Sequence, residues 1–118
     1  MERIVPMTSV QQWEEAYAAS LHRPLFIFKH STSCSISSGA LDELLNWIED
    51  AGGIFLDVVL VNVIENRVVS DLISEQLAIK HESPQVILLE NRTVIWHASH
   101  WSITYSTLDD HLRTHCEK

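Results

Sequence analysis

Cys34 stands in a polar cluster, Ser31-Thr32-Ser33-Cys34-Ser35-Ile36-Ser37-Ser38, directly after the apolar run Leu25-Phe26-Ile27-Phe28. A run that short, bounded by Pro24 and a Ser/Thr cluster, reads as a buried strand. The Ser and Thr residues after it are helix-capping types. Ala40, Leu41, Leu44, Leu45 and Ile48 then recur at helical spacing, which predicts a helix over about Ser35 to Asp50. Cys34 therefore falls at the mouth of a helix. The thiolate, not the thiol, is the nucleophile, and the open N–H groups and macrodipole of a helix start favour the anion. Lys29 and His30, close by in sequence, add candidate positive potential. Three residues on, where a dithiol oxidoreductase carries its second cysteine, stands Ser37. The motif is C-x-x-S, a nucleophile without a neighbouring resolving thiol. The alternative is a small apolar cysteine packed in a core, which the polar neighbours on both sides argue against.

The second cysteine, Cys116, is 82 positions away, so the pair makes no disulfide framework and both thiols are expected reduced. A resolving role for Cys116 requires the tail to fold back. The net charge of −8 opposes nucleic-acid binding. The apolar runs fall short of the roughly 18 residues of a membrane span, and residues 1–20 lack the apolar stretch of a signal peptide. A cytoplasmic protein of one domain, residues 1–118, is expected, with no membrane partner.

Around the cysteine the elements follow in order. Thr8 and Ser9, each with a glutamine three residues later, offer two capping boxes. Val10, Trp13, Ala16, Tyr17 and Leu21 predict a first helix over about Ser9 to Leu21. After the strand and the helix at Cys34, Gly52-Gly53 is a stop signal. Val58 to Val63 reads as a second strand, and Val68, Val69, Leu72, Ile73 and Leu77 as the apolar stripe of a helix over about Arg67 to Lys80. Gln85 to Leu89 and Thr93 to His97 form a hairpin across Glu90-Asn91-Arg92. Ser102 or Thr104 caps a last helix, with Ile103, Leu108 and Leu112 inward and Asp109-Asp110 on the solvated side. Strands alternating with helices imply parallel pairing, and the hairpin adds an antiparallel part. The order α-βαβα-ββα is that of an α/β thioredoxin-like fold with a mixed four-stranded sheet.

That fold gives meaning to Lys80-His81-Glu82-Ser83-Pro84-Gln85. Proline belongs at a strand's first residue, and Ser83-Pro84 falls where the thioredoxin fold carries a cis-proline facing its active cysteine. Although trans bonds dominate in general, a cis bond is expected here, leaving the backbone of Ser83 free to pair with an extended substrate. His81, His97 and His100 lie in the same region. Their spacing is a weak zinc signal, so no metal site is expected; hydrogen bonding at the sheet end and local positive charge near an anionic thiol are the alternative roles. Trp96 and Trp101 are each a core anchor or a wall of a substrate groove.

The blocks Lys29-His30-Ser31-Thr32-x-Cys34-x-Ile36-Ser37, Lys80-His81-Glu82-Ser83-Pro84-Gln85 and Trp96-His97-x-Ser99-His100-x-x-Ile103-Thr104 resemble the monothiol bacilliredoxins, thioredoxin-fold proteins of bacillithiol-using Gram-positive bacteria. The resemblance implies a glutaredoxin-like thiol-disulfide oxidoreductase that removes bacillithiol from S-bacillithiolated client proteins. Cys34 would be the nucleophile and Ser37 would hydrogen-bond its thiolate. Bacillithiol carries a carboxylate-rich malate and an amine. Lys29, His30, Thr32, Ser35, Lys80, His81, Ser83 and Pro84 would bind substrate, with Ser83 and Pro84 as its edge. Bacillithiol is then a co-substrate with no bound cofactor, and a second bacillithiol or a disulfide reductase regenerates the thiol. One departure is visible: the family usually carries proline after the cysteine, where this chain has Ser35, which restores an N–H at that helical position. Two other readings compete. One is a redox-inactive thioredoxin-like adaptor. The other is an iron–sulfur carrier like the monothiol glutaredoxins, whose Gly-Phe between Cys and Ser is Ser35-Ile36 here.

Overall fold

The computed structural model describes residues 4–52 and 55–116. The chain runs β1 (Ile4–Pro6), α1 (Val10–Ala19), β2 (Leu25–His30), α2 (Ser35–Ala51), β3 (Asp57–Asn62), α3 (Arg67–Leu77), β4 (Gln85–Glu90), β5 (Thr93–Ser99), a 3-10 turn (His100–Ser102) and α4 (Tyr105–Cys116). The strands form one mixed sheet in the order β1-β3-β2-β4-β5. β1, β3 and β2 are parallel, β4 runs antiparallel to β2, and β5 runs antiparallel to β4.

The expected α/β class and element order hold, with one correction: the sheet has five strands, not four. β1 is three residues long and contains Pro6, too short for a period-2 pattern and lacking one ladder donor. It adds along β3, Ile4 opposite Val58.

Every residue of β2 is buried, because β3 and β4 flank it and helices cover both faces. Side chains alternate along it. Phe26 and Phe28 join α2 and α4 in one core with Leu44, Trp47, Leu88 and Leu108. Leu25 and Ile27 join α1 and α3 in the other, with Trp13, Val61 and Ile73.

Helix boundaries follow local chemistry. Of the two capping boxes, Ser9–Gln12 closes: Ser9 Oγ accepts from Gln12 N–H at 3.1 Å, and the Gln12 side chain accepts from Ser9 N–H at 3.2 Å. α2 stops at Gly52, whose φ of 67° suits glycine; Gly53 lies outside the described residues. α3 ends at Leu77, three residues before the expected Lys80. There Ala78 turns left-handed, and the N–H of Ile79 bonds back to Ser74 C=O at 3.1 Å. Thr104, not Ser102, caps α4, its Oγ1 accepting from Thr107 N–H at 3.1 Å. Asp109, expected on the solvated side, keeps a side chain 38% exposed and is also tied to its neighbours. Its Oδ1 accepts from Trp47 Nε1 at 3.0 Å and from Arg113 Nε at 2.8 Å, which holds its carboxyl below the usual range.

Leu44 and Leu45 separate the two sides of α2. Leu44 is fully buried in the core, whereas Leu45 is 45% exposed. In urea unfolding, Leu44→Ala lowers stability by about 2–5 kcal/mol, while Leu45→Ala stays within about 0.5 kcal/mol of wild type. Equal effects would refute this assignment of faces.

Candidate functional site

The end of β2 sets the geometry. Residues 31–34 form a tight turn in which Cys34 N–H donates to Ser31 C=O at 3.2 Å. Cys34 is the N-cap of α2, with extended backbone (φ −119°, ψ 121°) and a half-buried side chain that makes no capping bond. Its C=O takes the first helical bond, from Ser38 N–H at 3.1 Å. The N–H groups of Ser35, Ile36 and Ser37, in the first turn, have no intrahelical acceptor. This is the thiol-at-helix-mouth arrangement expected from the sequence. Thr32 and Ser35 are exposed beside it.

Ser37 holds the cysteine turn in place. It is fully buried. Its Oγ accepts from Ser31 N–H at 3.0 Å and lies 2.7 Å from His30 Nδ1. The hydroxyl therefore staples the turn to the helix. His30 is buried on the same side, and burial holds its imidazole below the usual value, with Glu65 opposing weakly.

Lys29 is also corrected as a donor beside the cysteine. It follows the parity of Leu25 and Ile27, so it points to the α1/α3 face, opposite His30. It is fully buried. Its Nζ donates to Ser70 C=O at 2.9 Å and to Ser74 Oγ at 2.6 Å, and lies 3.4 Å from His81 Nδ1. Burial lowers its pKa to about 8 against a partial pull upward from Asp71. Desolvation, and then the Lys29 ammonium, hold His81 low as well.

The segment before β4 meets the cysteine turn at one end of the sheet, since Lys29 pairs with Gln85 and the chain enters β4 just beyond. The Ser83-Pro84 bond is cis, as expected. Pro84 C=O accepts from His100 N–H at 3.0 Å, while among the described residues neither the N–H nor the C=O of Ser83 has a partner. Ser83 Oγ is buried and likewise unpaired. Gln85 Nε2 donates to Lys80 C=O at 3.0 Å, and His100 Nδ1 lies 3.3 Å from Glu82 Oε1. A hydrogen bond with Ser99, then desolvation against it and the charge of His100 for it, leaves the Glu82 carboxyl below its ordinary value.

The histidines do not converge. His81 packs toward Lys29 and His100 toward Glu82, and no group of three or more potential ligands stands together among the described residues. Trp96 is a packing residue, stacked between Phe26 (6.3 Å) and His111 (4.2 Å). Trp101 is 78% exposed. The side chain of Cys116, at the end of α4, lies outside the described residues. No helix among those described is long and apolar enough to cross a membrane. Glu43, Glu82 and Gly39 shape this end of the molecule without a sequence signal, because each is an ordinary surface type at an ordinary spacing.

The family model of the monothiol bacilliredoxin BrxC matches residues 5–108. Among solved structures, a candidate oxidoreductase with a thioredoxin fold superposes with a TM-score of 0.81 at 28% identity, covering 92% of each chain. The thioredoxin NaTrxh of Nicotiana alata gives 0.76 at 16% identity (98% of this chain, 95% of that one). The Fasciola hepatica thioredoxin gives 0.73 at 9% (94% and 98%). The last two establish the thioredoxin fold.

Two outcomes test this geometry. Ser37→Ala strands the Ser31 N–H and lowers unfolding free energy by about 1–3 kcal/mol, read by urea titration; an unchanged midpoint contradicts the staple. The Lys29 ammonium has a folded pKa near 8 against 10.5 unfolded, so the unfolded chain binds the extra proton between those values. Stability from this residue is therefore present above pH 10.5 and lost as pH falls toward 8. The stability of wild type relative to Lys29→Met rises across that window, and a pH-independent difference would exclude the assignment.

Proposed function

The chain belongs to the monothiol bacilliredoxin family, and from its thiol-redox role we propose the specific reaction: removal of bacillithiol from S-bacillithiolated proteins through Cys34. The observation that carries the reading is the pairing of a half-buried Cys34 at the mouth of α2 with the unpaired Ser83 backbone at the same sheet end.

The thiolate of Cys34 attacks the bacillithiol sulfur of the mixed disulfide. A new S–S bond forms between Cys34 and bacillithiol, the S–S bond to the client breaks, and the client leaves as a thiolate. A second bacillithiol thiolate then attacks the bacillithiol sulfur held on Cys34. It releases the Cys34 thiolate and bacillithiol disulfide, which a disulfide reductase returns to thiol. Each step is thiol–disulfide exchange, so no bound cofactor enters. Ser83 offers one N–H and one C=O to an extended client segment, a strand addition of one residue. Cys34 stands at the N-terminal end of α2, beside first-turn N–H groups that have no intrahelical acceptor. Ser37 takes a positioning role, fixing the turn that carries the sulfur. Lys29, buried in the α3 cradle, acts on substrate only through the His81 segment.

Intact-mass spectrometry of the reduced protein after exposure to oxidised bacillithiol tests the reading. One bacillithiol adduct forms on wild type and on Cys116→Ser, is absent from Cys34→Ser, and is released by reduced bacillithiol. Absence of an adduct on Cys34 near neutral pH would leave the adaptor reading in its place. An internal disulfide between Cys34 and Cys116 would replace the monothiol scheme with a resolving one.

A further inference from the structure

Building on that reading, we infer that the cavity between α2 and the 3-10 turn is a subsite for the non-thiol half of the small thiol while its sulfur is joined to Cys34. The part of the molecule that bears the amine would lie between Trp101 and the first turns of α2, with the amine at Glu43.

Four observations meet here. A cavity of about 350 Å³ opens beside Ser35, Ile36, Gly39, Glu43, His100 and Trp101. It begins at the residue after the nucleophile, one Cα step of 3.8 Å away, so a molecule bonded to Cys34 reaches it within its own length. Its volume lies in the range of small-molecule sites.

The walls are kept open. Gly39 is in the second turn of α2, and a Cβ built there meets nothing within 4 Å. No close approach requires a glycine, and glycine inside a helix costs about 1 kcal/mol relative to alanine. The missing side chain leaves space facing the cavity rather than serving packing.

Trp101 is the largest exposed apolar side chain described, and it sits on this cavity rather than on the core. Its place is set by His100, a non-glycine residue at φ 53°, a conformation such residues rarely adopt. His100 is held there by its N–H, which donates to Pro84 C=O, and its Nδ1 lies 3.3 Å from Glu82 Oε1. The segment that carries Ser83 therefore also fixes the wall.

Glu43 supplies the charge. Its Oε1 accepts from Tyr105 N–H at 2.5 Å, while Oε2 has no partner among the described residues. A carboxylate oxygen with spare acceptor capacity suits an ammonium group. The two directions from Cys34 then divide the mixed disulfide. The client peptide pairs with the Ser83 backbone, and the small thiol occupies the concave side.

Two variants test this from opposite directions. Trp101→Ala removes the wall at an exposed site, and Gly39→Leu fills the space while improving helix propensity. Each is assayed with one reporter protein capped in turn by bacillithiol and by cysteine, alongside alkylation of Cys34 by iodoacetamide and a thermal melt. With the melt and the alkylation rate unchanged, both variants are expected to lose about three- to tenfold in kcat/KM on the bacillithiol-capped reporter, and to act normally on the cysteine-capped one. Wild-type activity with both variants unaffected overturns the subsite and leaves the debacillithiolation reading standing. Equal losses on both caps overturn it too, assigning the wall to the client. A wild type that releases neither cap fails the underlying reading, and the subsite with it.

Discussion

Burial of β2 on both faces is the constraint from which the rest of the site follows. Its neighbours hydrogen-bond to both of its edges and two helical layers cover its sides, so its last residue has no freedom. The turn that follows starts from a fixed point. Ser37 reaches back from α2 to the Ser31 N–H and His30, closing turn and helix on each other. The nucleophile thus stands on a loop only four residues long that is anchored at both ends. Positional precision of this kind is what exchange between three sulfurs requires, since the attacking, central and leaving atoms must lie nearly in line.

The same strand separates two polar clusters that adjacent residue numbers would suggest are one. Lys29 and His30 are consecutive, and the pleat sends them to opposite faces. His30 belongs to the cysteine side, and Lys29 to a buried cradle of α3 with His81 at its rim. Through that contact, and through Gln85 to Lys80, the segment before β4 is tied to the sheet from below. His100 ties it from the other side. The position of Ser83 is therefore determined by residues on both layers.

Much of this was legible in the sequence. The period-3.6 stripes and β-branched runs marked seven of the eight helices and strands before α4, and the place of Pro84 in the thioredoxin-like order pointed to the cis bond. What was not legible has physical reasons. β1 carries no pattern because three residues cannot show one. α3 stops early because Ala78 takes a left-handed turn that alanine does not advertise. The bond between Asp109 and the Trp47 indole has no sequence signal, since only the fold brings the two together. Lys29 is the instructive case. Continuing the alternation from Leu25 and Ile27 by one step predicts its inward direction, but a charged residue at a strand end invites the opposite reading.

The sheet ends unequally. On one side β1 is three residues long and Pro6 removes a donor; on the other, β5 runs for seven residues beside β4 alone. A further strand from any source finds a long ladder only along β5. The register shift opposite Leu88 and Leu89 interrupts that ladder by twisting it locally. Self-association of concentrated protein through strand addition is thereby directed to the β5 border and weakened there.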